Sequence, residues 1–327
     1  MHPTGSWLPA AALVLVLGIS ASASASESGC DRPVADLLPI LERMERSWSE
    51  VTDYTARLLK TERLVDGTVT EENGIIRFRK PDQLHLRVTE GPNTGAVVLF
   101  PKPGTKDIVL GRPGGVSGTV AGLLVKLPAI GGLVPHEFPL DDPRLTDGQH
   151  HPLPDSSIGG MIELIADNVK TAARHREGSV CLRESETIAG HRSVTLEVHL
   201  PADKGSWHTA TKGESLWRIG QDYAQDRYVI LYNNPKVRRW NSLRAGTRVF
   251  VPRYYAPRAM LWVSEEVHLP VRLRMYDNDG RIYESYTNAD LRIDVGLSDD
   301  DFDPERLGFP SKDTAPSRPR ARPASIR

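Results

Sequence analysis

The sequence predicts an α+β fold based on an antiparallel sheet, with a smaller unit set into it. Three observations predict it. Runs of alternating apolar and polar residues recur from Tyr54 to Leu110 and from Val180 to Val295, without the strand-helix-strand alternation of a parallel sheet. Two stretches, Arg32 to Glu50 and Ser157 to Arg176, instead repeat apolar residues at three- and four-residue steps, as amphipathic helices do. Between the strand runs that end near Leu200 and resume at Met260 lies a stretch that holds nine of the chain's 21 aromatic residues.

The chain begins with an apolar run of 12 residues, Leu8 to Ile19, followed by Ala23-Ser24-Ala25 as a small-x-small cleavage site. The run is too short to span a bilayer comfortably, so residues 1–25 read as a secretory signal, with an uncleaved anchor as the alternative. Glu27-Ser28-Gly29-Cys30 lacks the aliphatic residue of a lipobox. Cys30 and Cys181 are the only cysteines, and in an oxidising compartment they are expected to pair as a structural disulfide.

In the first helix, Val34, Leu37, Leu38, Leu41, Met44 and Trp48 share one face, and Pro39 calls for a separate or kinked first turn. Asp66-Gly67 between Tyr54 to Val65 and Thr68 to Arg79 is a hairpin signal. Lys80-Pro81-Asp82 turns the chain into Gln83 to Thr89, and further strands follow at Gly95 to Phe100 and Lys106 to Leu110. Gly111 to Val134 is rich in glycine and aliphatics and has no phosphate-loop ending; it reads as an apolar lid or an ordinary buried connection. His136 to Asp155 reads as a loop, and His150-His151 within it as solvated, since no further ligands stand at metal-binding spacing. After the second helix, Gly190-His191 turns between two strands, and Asp277-Asn278-Asp279-Gly280 makes a later hairpin into Ile282 to Tyr286. Ala289 to Val295 is expected as a final, separate strand.

Within the aromatic-rich stretch, Glu214 and Ser215 stand where they can cap a helix carrying Leu216, Ile219 and Tyr223. Asn233-Asn234-Pro235 ends a second helix from about Arg227 to Tyr232, and Val249 and Val251 alternate in a closing strand. These blocks, with Trp207-His208-Thr209, Lys212-Gly213-Glu214-Ser215-Leu216-Trp217-Arg218-Ile219, and Leu243 to Pro252, resemble a LysM module, the βααβ domain that binds peptidoglycan and chitin. The resemblance implies a sugar groove formed by Lys212, Gly213, Glu214, Ser215 and Leu216 with Asn233, Asn234, Pro235, Lys236 and Val237. Backbone groups there would hold N-acetyl groups, and Leu216 and Val237 would pack on sugar faces. The alternative is a module kept only as structure.

The flanking sequence resembles the secreted bacterial family known as domain of unknown function 1571 and, more distantly, the periplasmic lipoprotein carriers of the Lol pathway. Tyr54-Thr55-Ala56-Arg57-Leu58, Phe78 to Leu86, Leu269-Pro270-Val271-Arg272 and Asp299 to Pro304 carry that resemblance. It implies a curved antiparallel half-barrel with covering helices, which in the carriers holds acyl chains. The expected organisation is a signal (1–25), a discontinuous sheet domain (26–204 and 256–310), a LysM module (205–255), and a disordered basic tail (311–327).

Net charge supports an envelope setting over nucleic acid binding. The chain totals -1, yet 205–255 carries nine Lys and Arg against three acids and 311–327 carries five against one. Basic segments on an acidic body of an exported chain suit an anionic polymer or membrane surface. A plain solubilising role for that charge is the alternative. No paired catalytic carboxylates, Ser-His-Asp order, zinc signature or cofactor motif stands out. The expected function is therefore a noncatalytic periplasmic or wall-associated protein. It would bind peptidoglycan, an N-acetylglucosamine-containing glycan, and hold a lipid, lipoprotein or other apolar ligand in the half-barrel. A cell-wall hydrolase or its regulator, and a structural wall-to-membrane scaffold, are the other readings.

Overall fold

The computed structural model describes residues 32–309, except 65, 113, 115–118, 121–122, 125–135, 141, 143–144, 146–148, 152 and 238–239. The expected signal, Cys30 and the basic tail lie outside the described residues, as does most of the expected lid at 111–134.

A two-residue strand, β1 (Arg32–Pro33), leads into a 3-10 turn over Val34–Leu37 and then α1 (Leu38–Glu50). The stretch divides there because Pro39 fits only in a helix's first turn, where a missing N–H breaks no bond. Strands β2 (Asp53–Arg63), β3 (Val69–Arg79), β4 (Gln83–Glu90), β5 (Val97–Phe100) and β6 (Ile108–Arg112) follow. Gly67, at φ 87°, makes the β2–β3 turn, and Asp66 accepts a hydrogen bond from Thr68 N at 2.9 Å beside it. A small separate hairpin, β7 (Thr119–Val120) with β8 (Leu123–Leu124), precedes β9 (His136–Pro139), which pairs with β6.

Helix α2 (Ile158–His175) begins where the Ser157 hydroxyl accepts from Gly160 N at 3.0 Å. Strands β10 (Ser179–Ile188) and β11 (His191–His199) form the next hairpin. The inserted unit comprises β12 (Gly205–Thr209), α3 (Leu216–Tyr223), α4 (Arg227–Tyr232) and β13 (Arg248–Pro252). Strands β14 (Arg258–Ser264), β15 (Pro270–Tyr276) and β16 (Ile282–Ile293) complete the chain's sheet, and a 3-10 turn lies at Asp299–Phe302. Ile282 to Tyr286 and Ala289 to Val295, expected as two strands, are mostly one: β16 continues through a bulge between Ala289 and Arg292, with Asp290 at φ 54°.

Twelve strands make one open sheet in the order β1-β10-β11-β14-β15-β16-β2-β3-β4-β5-β6-β9, every neighbouring pair antiparallel. Helices α1 and α2 join one core with the sheet: Leu41 and Met44 of α1, and Ile162 and Val169 of α2, cluster with Tyr54, Ile76, Leu196 and Leu273. Trp48 sits 6.1 Å from the Tyr54 ring and 5.4 Å from that of Phe78, contacts worth about 1 kcal/mol each beyond area burial. A separate cluster joins Val97, Leu99 and Leu110 to Phe302, Leu307 and Phe309 near the C-terminus.

The inserted unit has a core of its own, including Leu216, Ile219, Ile230, Leu243, Val249 and Val251. Its first and last strands pair with each other, from Gly205 opposite Pro252 to Thr209 opposite Arg248. Entry and exit therefore lie side by side, which lets the unit interrupt β11 and β14 without disturbing their ladder. No helix among the described residues is long and apolar enough to cross a membrane.

Candidate binding site at the module junction

Helix α4 joins the two parts. Asp226 caps it by accepting from Tyr228 N at 2.6 Å and Val229 N at 3.1 Å. One turn of helix then divides its side chains: Ile230 and Leu231 enter the inserted unit's core, while Val229 joins the core of the sheet domain and Tyr232 packs against it.

Beneath α4 lies a buried ionic network. His150 donates from Nδ1 to Glu284 Oε2 at 2.8 Å and from Nε2 to the Arg63 carbonyl at 3.0 Å. Carboxylate and carbonyl oxygens only accept, so the ring carries both protons and is an imidazolium. Its face stacks on Tyr228 at 4.8 Å. His151 Nε2 lies 3.2 Å from Glu284 Oε2 and 2.9 Å from the Tyr255 hydroxyl, which itself donates to Glu284 at 3.0 Å. Glu62 accepts from the Tyr286 hydroxyl, and Lys60 Nζ stands 3.3 Å from both Glu62 and Glu72.

Three carboxylates thus face three cations, which is what lets the network leave water. Burial alone would raise the Glu284 carboxyl, yet His151 and His150 pull it down to about 2. Burial alone would lower His151, yet Glu284 above all raises it to about 9. Burial keeps Asp226 above the usual carboxylate range, against the pull of His150 and His151.

The expectation of a solvated His150-His151 loop is corrected here. His150 is fully buried because Glu62, Glu284 and an aromatic cage replace its water. The sequence signal for this was weak: two histidines, with carboxylate partners 88 and 134 residues away.

The residues expected to form the sugar groove take different positions. Lys212, Gly213, Pro235 and Lys236 are exposed. Ser215 caps α3 through Arg218 N at 3.2 Å, whereas Glu214 turns back to Thr211 N at 2.7 Å and His208 at 3.1 Å. Leu216 is 1% exposed and packs inside the unit, so its side chain is not presented to a sugar face. Asn234 is likewise turned inward: its amide bonds the Ile230 and Phe250 carbonyls at 2.7 Å and accepts from Phe250 N at 2.8 Å. Val237, like Trp240, packs at the rim of the unit's core.

Asn233, Pro235 and Val237 line a cleft of about 920 Å³ between the inserted unit and two hairpin tips of the sheet. A second cleft, about 470 Å³, opens between α2 and α3 with His151 and Asp226 in its wall. Among the described residues, an apolar cavity at Ile165, Leu261 and Met275 is only about 40 Å³, far below the ~300 Å³ at which ligand pockets begin. Among the described residues, Cys181, Glu197 and His199 have metal-ligand proximity. Glu197, however, already binds Arg183 at 2.6 Å and Arg258 at 2.7 Å, which neutralises the charge a cation would need. The expected Cys30 partner of buried Cys181 is outside the described residues.

These features define a mostly antiparallel open-sheet protein with few helices, carrying a small α/β unit fixed at an ionic junction. The family described as "Protein of unknown function (DUF1571)" matches residues 51–217, and the chain belongs to that family. No curated protein matches it. Similar solved structures include an uncharacterized conserved protein from Thermus thermophilus, at 9% identity and TM-score 0.36, covering 82% of this chain and 92% of that one. A LolA superfamily protein from Nitrosomonas europaea has 10% identity and TM-score 0.28 over 81% of this chain and 96% of its own. Mycobacterium tuberculosis lipoprotein LppX has 10% identity and TM-score 0.33 over 80% and 97%. At such scores these likenesses say nothing about what the chain binds.

Proposed function

We propose that this protein is a noncatalytic cell-envelope binding protein, exported and wall-associated, that holds peptidoglycan through a LysM-like module at residues 205–255. The observation that carries the reading is the unit's construction. Its β-α-α-β order and private core leave Lys212-Gly213 and Pro235-Lys236 exposed, in the two loops expected to take an N-acetylated sugar. A noncatalytic role is favoured because the carboxylates of Glu62 and Glu284 are buried and already paired with Lys60 and His150. An apolar cargo finds little support in a cavity of about 40 Å³.

Cosedimentation with purified sacculi tests this. The protein is expected in the pellet, released by soluble N-acetylglucosamine oligomers, and left in the supernatant by Gly213→Trp. Wild-type protein that stays in the supernatant at low salt refutes the reading.

A further inference from the structure

The 920 Å³ cleft has two unlike walls. On the inserted unit's side, Tyr232, Asn233, Val237 and Trp240 offer aromatic and neutral surface. Facing them are the tips of the β2–β3 and β15–β16 hairpins, where Arg63, Asp66, Asp279 and Arg281 are charged. The walls are held in register: Asn278 donates to Asn233 Oδ1 at 3.1 Å across the gap, and the Arg63 guanidinium lies 5.3 Å from the Tyr232 ring centre. Arg63 is also pinned to Asp277 at 2.6 Å, with both side chains nearly buried, so this end of the cleft is preformed.

The outer charges remain available. Asp279 and Arg281 pair at 2.6 Å, yet their side chains are 70% and 64% exposed. Asp66 is exposed, and its hydrogen bonds to Thr68 hold its carboxyl below the usual range, hence ionised. An uncharged polysaccharide would use one wall and leave the other idle. A ligand that uses both has neutral rings along one edge and ionic substituents along the other.

We propose that this composite cleft reads a peptide-substituted glycan. The inserted unit takes the sugar rings, and the two hairpin tips take the charged peptide, with Asp66 and Asp279 facing its amines. The proposal rests on the glycan-binding reading above and assigns specificity to the sheet domain.

The test compares soluble glycan strands that retain their peptides with the same strands stripped of peptide by an amidase, by titration calorimetry on the full chain. Two exposed ion pairs predict about fivefold tighter binding of the peptide-bearing strands, a preference that shrinks in high salt. An Asp66→Asn/Asp279→Asn variant, with unchanged melting temperature, is expected to bind both strands equally, at the wild-type affinity for stripped strands. Equal wild-type affinities, or a preference that survives in the double variant, overturn the hairpin assignment while glycan binding stands. Wild-type protein that binds neither strand overturns the glycan-binding reading itself.

Discussion

The imidazole of His150 donates to Glu284 at 2.8 Å with both side chains buried, and the inserted unit rests on this pair through the Tyr228 ring stacked on His150. Glu284 stands on β16, His150 in the loop before α2, and the Tyr228 ring that covers His150 on α4. Three chain segments far apart in sequence meet at the His150 ring.

Glu284→Gln is therefore expected to be costly. It leaves His150 and His151 as buried cations with one fewer anion, a change of about 3–5 kcal/mol. Denaturant unfolding monitored by tyrosine and tryptophan fluorescence measures it. A loss below about 1 kcal/mol would show that the network is not a stabilising junction.

The same network sets a pH window. His151 is raised from 6.5 to about 9, so its contribution is complete below pH 6.5 and disappears as pH rises through 9. Glu284 is lowered from 4.5 to about 2, so its contribution is complete above pH 4.5 and is lost as pH falls toward 2. Melting temperature is expected to be highest between about pH 4.5 and 6.5, with the His151→Gln variant losing part of the alkaline decline and His150, also raised by Glu284 and Glu62, keeping the rest. A wild-type profile still rising between pH 7 and 9 contradicts this.

Asn234→Ala is expected to destabilise the inserted unit by about 2 kcal/mol or more, because it strips Phe250 N and two carbonyls of their partner. Lys236→Ala, on the exposed side of the same loop, is expected to change stability by less than about 0.5 kcal/mol. Equal effects in thermal unfolding would mean that the amide is not the staple of this loop.

Protein purified from a periplasm is expected to carry no stoichiometric acyl lipid, given the cavity of about 40 Å³ beside α2. Native mass spectrometry with lipid extraction measures this. A reproducible bound lipid would overturn this expectation and restore the carrier reading.

Local chemistry made much of the fold legible. Asp66-Gly67 and Asp277 to Gly280 mark hairpins because their turns need those residue types, and the spacing of Ile162, Ile165 and Val169 marks a helix face. The loops of the inserted unit were legible for the same reason. The roles of individual groove residues were not: Leu216 and Asn234 carry the right types but face inward, a direction set by packing. The junction was illegible altogether, since nothing near His150 in sequence announces Glu284 or Tyr228. The continuity of β16 was hidden by Asp290, whose positive φ is absorbed in a bulge that only strand pairing reveals.

The inserted unit leaves the sheet between neighbouring strands, and this has a mechanical consequence. A pull on the unit would open β11 from β14 like a zipper, with His199 opposite Arg258 the first pair loaded and the rest following one at a time. Peeling of that kind resists little force. Tension on the unit is borne instead by the contacts of α4 with the His150 cluster and by Arg253 and Tyr254 on Glu177, which act as shear pins between the unit and the rest of the chain.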